Sequence, residues 1–201
     1  MKRSTLSFIC SVVIATSAAL SPAYAATTAP DVMIRQVVEQ TLTDLRSNKE
    51  QIEEQGVFDF VNKRLLPHFD FDYMSQLVVG RHWRTASVKQ RADFSDQFKT
   101  LLIKTYAGAL ESYTDEVVEI LPYRAGADPE DALVSTEIAP KAGPAIPIDY
   151  SLHLKEGQWI VYDVSIDGLS LVTNYRRSFG RKIKSEGINE LIADLKSKNN
   201  S

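Results

Sequence analysis

Chemistry in this 201-residue chain would have to start from three histidines and a few well-spaced carboxylates. His68, Asp70 and Asp72 stand in an H-x-D-x-D spacing, and two hard carboxylates with one imidazole can meet a divalent cation. No second His, Asp or Glu cluster completes such a shell. Asp70, directly before an apolar periodic run, suits a helix N-cap better. His82, beside Trp83, and His153, on the polar side of a strand-like alternation, are isolated. Tyr162-Asp163 is the pair with most catalytic promise, because a tyrosine and a carboxylate in an apolar pocket can stabilise an enolate. No second carboxylate is spaced to work with Asp163, so a packed tyrosine beside a water- or turn-facing aspartate is the better reading. The alternative kept is an isomerase- or hydrolase-type enzyme using Tyr162 and Asp163. The chain has no G-x-S-x-G, H-E-x-x-H, G-x-G-x-x-G or Walker sequence. Arg176, Arg177, Arg181, Lys182 and Lys184 cluster near the C-terminus, as a solvated face or a contact for a phosphate or an acidic partner. We therefore expect no catalytic residue, no metal and no cofactor.

The N-terminus reads as an address. Lys2 and Arg3 precede an apolar run from Leu6 to Leu20, and Ala23-Tyr24-Ala25 forms an A-x-A signal. Cleavage is expected after Ala25, with residues 1–25 as a signal peptide and 26–201 as one domain. Losing Lys2 and Arg3 from 23 basic residues, and none of the 26 acidic ones, leaves a formal charge of −5. That balance argues against nucleic acid and against electrostatic adhesion to an anionic membrane. Cys10 is the only cysteine, so the mature domain must rest on its core rather than on disulfides. No later segment is long and apolar enough to span a bilayer, which predicts no stable membrane insertion.

Hydrophobic periodicity predicts helices over Asp31–Ser47 and Asn48–Leu66, the second weakened by Gly56 and stopped by Pro67. A short helix follows Asp70 and ends at Gly80. Ser87-Val88-Lys89-Gln90 is a capping box that opens the longest helix. Its apolar positions, Val88, Phe94, Phe98, Leu101, Leu102, Tyr106, Ala109, Leu110 and Tyr113, cover about half the circumference, wider than the ~100° stripe of an ordinary surface helix. The period then becomes two. Glu116–Leu121, Ala132–Ala139, Ile146–Lys155 and Gln158–Ile166 read as strands of an antiparallel meander. Helices over Leu169–Phe179 and Glu186–Lys196 close the chain before a polar tail, Ser197–Ser201, expected to fray. The fold class is α+β, with helices wrapped on one face of a four-stranded sheet and enclosing an apolar pocket.

Three blocks carry a family resemblance. LPHFDFDYMSQLVVGRHWRTASVKQRADFSDQFKTLLIKTYAGALESY contains the glycine–basic–aromatic region VVGRHWRTAS; WIVYDVSIDGLSLVTNYRRSFG and SEGINELIADLKSK follow in register. Together they resemble the MlaC family, also described as the toluene-tolerance Ttg2D family, periplasmic phospholipid-binding components of an intermembrane lipid transport system. The resemblance implies a single domain related to the NTF2-like shape, with a pocket for acyl chains and the headgroup near its mouth. It implies a carrier that maintains outer-membrane lipid asymmetry. Its partners would be an outer-membrane lipoprotein–porin complex of the MlaA type and an inner-membrane MCE-domain ABC transporter of the MlaD type. The family brings no catalytic residues, and a sterol or hopanoid ligand stays open as an alternative to phospholipid.

Sheltering one acyl chain of about 15 methylenes, at about 0.8 kcal/mol each, takes about 12 kcal/mol and calls for a deep apolar wall. The expected lining is Phe71, Met74, Val78, Phe94, Phe98, Leu101, Leu102, Tyr106, Ile148, Tyr150, Leu152, Leu169 and Val172. Arg81 and Arg176 are the expected headgroup or partner contacts.

Overall fold

Local signals in the sequence start and stop most of the elements. The computed structural model describes residues 28–48, 50, 52, 56–111, 117–140 and 143–200, without the side chains of 109–111. The expected signal peptide, the side chains of Ala109, Leu110 and Tyr113 on the long helix's apolar face, and most of the part of the second expected helix that precedes Gly56 lie outside that description. Helix α1 covers Pro30–Ser47, with proline at its first turn, and α2 covers Val57–Arg64 behind Gly56. A 3-10 turn, Leu66–His68, carries Pro67. Helix α3, Phe71–Val79, is capped by the Asp70 carboxylate, which accepts the Tyr73 N–H at 3.0 Å. Helix α4 runs from Val88 to Glu111. Its capping box forms in both directions: Ser87 Oγ accepts the Gln90 N–H at 3.2 Å, and Gln90 Oε1 accepts the Ser87 N–H at 2.8 Å. Val88, expected on the apolar face, instead points to solvent at 82% exposure, as the first residue after the cap.

The sheet has five strands in the order β1-β2-β3-β4-β5, all antiparallel neighbours. They are β1 Val117–Ile120, β2 Asp131–Ala139, β3 Ile146–Lys155, β4 Gln158–Ile166 and β5 Leu169–Ser170. The fifth strand corrects the expected count of four. Asp167 and Gly168 both have positive φ, 50° and 74°, and this two-residue turn folds Leu169 back against Ile166 where a helix was expected to begin. Helix α5 therefore starts at Leu171 and runs to Glu186; after Gly187, α6 covers Ile188–Asn200. The expected frayed tail is helical through Asn200: Asn199 is buried, and its amide donates to the Gln97 carbonyl at 2.9 Å.

Two packing regimes lie on the inner face of the sheet. On one side Phe94, Phe98, Tyr175 and Phe179 form an aromatic cluster, with ring centroids 5.2–6.1 Å apart. Met74, Val78, Val134 and Leu152 close around that region with almost no exposure. On the other side α1, α2 and the start of α3 face the sheet less tightly, and that looseness makes the site.

Two aspartates fix helix starts to the sheet. Asp163 Oδ1 accepts the N–H groups of Val164 (2.8 Å) and Val172 (3.0 Å), and its second oxygen accepts the hydroxyl of Ser170, the α5 cap. Asp70 is buried at 7% exposure and accepts from Lys155 Nζ at 2.8 Å, with His153 Nε2 at 3.2 Å, which ties α3 to β3. Burial raises the Asp70 carboxyl, but the Lys155 hydrogen bond, the Tyr73 N–H and the charges of Lys155 and His153 outweigh it and hold the group below its ordinary value. A carboxylate depressed by folding stabilises the fold above its unfolded pKa, and that contribution is lost as pH falls through the folded value. Asp70→Asn keeps a capping oxygen but removes the charge. It should cost about 1–2 kcal/mol at neutral pH. It should also flatten the loss of stability on acidification in urea unfolding; an acid limb as steep as wild type would rule out the pair as its source.

Candidate functional site: an uncharged apolar cavity

Between α1 and the inner face of the sheet lies a cavity of about 350 Å³. Helix α1 gives it Met33, Ile34, Val37, Val38, Thr41 and Leu42, a face repeating at three and four residues. The α2 side adds Val61, Leu65, Leu66, His68 and Phe69; α3 adds Phe71 and Met74; α4 adds Leu102, Ile103, Tyr106 and Ala107. The sheet supplies Val118, Ile138, Ile148, Tyr150, Val161, Val164 and Ile166, and Leu171 opens α5 beside them. A bulge makes the β4 contribution possible. Leu152 pairs with Val161 but Ser151 pairs with Asp163, which leaves Tyr162 as the extra residue. Val161 and Val164, three positions apart, therefore both face the cavity.

The described residues of the wall carry no formal charge at neutral pH. Among the described residues the wall's one basic side chain is His68, whose pKa is lowered by burial and by the charge of Arg64, so the imidazole is neutral. Burial raises the hydroxyls of Tyr150 and Tyr106, keeping both protonated. The Thr41 hydroxyl is satisfied within its own helix, donating to the Val37 carbonyl at 2.6 Å. The remaining lining is hydrocarbon, aromatic ring and thioether. Such a surface can shelter an apolar chain from water.

The model for MlaC proteins matches residues 35–197. The chain belongs to the MlaC family. Over 85% of its length it is 25% identical to the intermembrane phospholipid transport system binding protein MlaC of Haemophilus influenzae, covering 82% of that protein. Over 79% it is 27% identical to the toluene tolerance protein ttg2D of Pseudomonas putida, covering 74% of it. A phospholipid-binding protein from Ralstonia solanacearum, solved in complex with a phospholipid, superposes with a TM-score of 0.79 at 31% identity; the match covers 86% of this chain and 97% of that one.

Within this MlaC-family fold the residues expected from sequence divide. Phe71, Met74, Leu102, Tyr106, Ile148 and Tyr150 face the cavity. Val78, Phe94, Phe98, Leu101, Leu152 and Val172 are not in its lining: they are buried in the core, where the Phe94 and Phe98 rings stack. Leu169 is 71% exposed, because the Asp167–Gly168 turn carries it past the edge of the wall. Arg81 and Arg176 also lie off the cavity. Arg81 Nε donates to its neighbour His82 at 3.4 Å, and the Arg176 guanidinium packs over Gly80, where an added Cβ would stand 3.4 Å from Nε. Sequence reading missed the α1 face, although Ile34, Val38 and Leu42 already marked it as apolar; nothing in periodicity distinguishes a side facing a void from one facing a core.

The catalytic and metal candidates have other work. Tyr162 does not line the cavity; its hydroxyl donates to Asp131 at 3.2 Å, and burial and that carboxylate push its pKa up to about 12. Asp163 is saturated by the start of α5. Among the described residues no group of three or more His, Cys, Asp or Glu gathers to hold a metal ion. The two regimes predict opposite sensitivities. Phe98→Ala, in the packed half, should cost about 3–5 kcal/mol in chemical denaturation, whereas Ile148→Ala, already facing space, should cost about 1–2 kcal/mol. Equal costs would mean that the cavity wall is packed as tightly as the core.

Proposed function

We propose that this protein is a phospholipid carrier that shelters acyl chains in the α1–sheet cavity and catalyses no reaction. One observation carries the reading: an uncharged, hydrocarbon-lined cavity in a chain whose relatives include a phospholipid transport binding protein and a phospholipid complex. The volume falls within the ~300–1,000 Å³ usual for small-molecule sites. A carrier needs reversible shelter rather than chemistry, and the described lining is mostly hydrocarbon and aromatic ring.

The remaining parts of the reading follow from the N-terminus and the family. A signal peptide ending at Ala25 delivers the mature domain to the periplasm, where lipid passes between an MlaA-type outer-membrane complex and an MlaD-type inner-membrane transporter. Among the described residues no helix is long and apolar enough to cross a membrane, which suits a shuttle. The net charge of −5 after cleavage keeps such a shuttle from settling on anionic bilayers.

Native mass spectrometry of the protein isolated from a periplasmic fraction tests the cargo. Intact protein should carry diacyl phospholipid, released by solvent extraction, and Ala107→Trp, which fills the wall, should emerge largely lipid-free while still folded by circular dichroism. A wild-type mass without extractable lipid sinks the carrier reading. The same spectrum tests export: the chain should begin at Ala26, and a retained residue 1–25 segment would contradict cleavage.

A further inference from the structure

The sheet side of the cavity continues beyond the cavity itself. Residues directly opposite in an antiparallel ladder share a face, with Cβ atoms about 4.5–5.5 Å apart. Ile138 pairs in this way with Ile146, Ile148 with Ile166, and Ile166 with Leu169. Ile138, Ile148 and Ile166 line the cavity; Ile146 and Leu169 lie outside its lining and are 40% and 71% exposed. Along β4 the exposure rises in the same direction. Val161 and Val164 are buried, Ile166 is half-buried, and the turn after it presents Leu169 to solvent. That gradient puts the mouth of the cavity at this end of the sheet, with Ile146 and Leu169 as an apolar lip outside it.

Volume limits what the cavity itself can hold. An apolar cavity of about 150 Å³ takes one benzene, so on that scale about 350 Å³ takes about 14 carbons. That is the length of one acyl chain and half of what a diacyl lipid carries. The second chain leaves the same glycerol as the first, so it emerges at the mouth. There it meets either water or hydrocarbon, and the exposed hydrocarbon in register with the wall is Ile146 and Leu169. A chain laid across them takes its own surface and theirs out of water together.

We propose that Ile146 and Leu169 form a second acyl-chain site: one chain of the bound lipid fills the cavity, and the other runs from its mouth across the lip. The proposal rests on the phospholipid-carrier reading and adds a division of the cargo to it. A single-chain lysophospholipid then becomes a complete occupant of the cavity that has no need of the lip. The Asp167–Gly168 turn also gains a role, since it sets Leu169 beside Ile166.

The test compares lipid-stripped wild type, Ile146→Ser, Leu169→Ser and the double variant. Each is titrated with dipalmitoylphosphatidylglycerol and with palmitoyl-lysophosphatidylglycerol, the latter below its micelle-forming concentration. Each truncation should weaken the diacyl lipid about fivefold and the pair about twentyfold. The lysophospholipid should change less than about twofold and bind one per protein, which also reports that the variants are folded. Diacyl binding that is unchanged, or that falls equally with the lysophospholipid, overturns the second site while leaving the carrier reading standing. Two lysophospholipids per protein, held without regard to the lip, would overturn it as well, because the cavity would then take both chains. Co-sedimentation with phosphatidylcholine vesicles and light scattering at rising protein concentration test the other occupants. Vesicle binding or a dimer that is lost in Leu169→Ser, with diacyl affinity unchanged, would assign the lip to a membrane or a second copy and overturn the proposal. Wild type that binds neither lipid would instead remove the carrier reading itself.

Discussion

Hydrocarbon facing water costs about 25 cal/mol for each Å², and in this fold the apolar face of α1 looks onto a void rather than onto protein. Val37, Val38 and Leu42 line the same space as Ile138, Ile148 and Ile166 on the sheet. A fold with no use for that space would close it, since collapsing α1 onto the sheet would hide the area. The void persists because the elements on either side are fixed independently of it. The rest of the architecture can be understood as the means of holding that gap open.

Those fixings are specific. The capping box at Ser87 and Gln90 sets where α4 begins. The Phe94–Phe98–Phe179 cluster then locks α4 to α5, with rings in stacked and edge-on contact. Asp163 pins the start of α5 to β4, and Asp70 pins the start of α3 to β3 through Lys155 and His153. Together these make a closely packed half. The cavity is confined to the other half, where α1 is held to α2 by the Asp44–Arg64 bridge. The two halves share some side chains: Met74 and Val161 are almost wholly buried and still face the cavity, whereas Phe94 and Phe98 belong to the packed half alone.

Legibility in the sequence follows the same division. Caps and turns act within a few residues, so Asp70, Ser87-Gln90 and the four long strands could be read directly. The fifth strand could not, because whether Leu169 starts a helix or a strand depends on its pairing with Ile166 across the Asp167–Gly168 turn. The lining was half legible. Periodicity finds that Phe98 and Tyr106 are both apolar positions on α4, yet one is enclosed by rings and the other faces space, and that difference is decided by elements distant in sequence. Val161 and Val164 were hidden for a related reason, since a bulge at Tyr162 breaks the strand alternation that would have revealed them. The phospholipid itself was never in the periodicity; it came from the family likeness.

The central claim is spatial: acyl chains occupy the α1–sheet cavity and not the aromatic half. A phospholipid carrying a photoreactive group at its acyl terminus, bound to the protein and irradiated, tests this most directly when peptide mass spectrometry maps the adducts. The account predicts adducts on cavity residues such as Val37, Leu42, Tyr106 or Ile148, suppressed by excess unlabelled lipid. Adducts concentrated on the outer sheet face, or around Phe94 and Phe179, would contradict it.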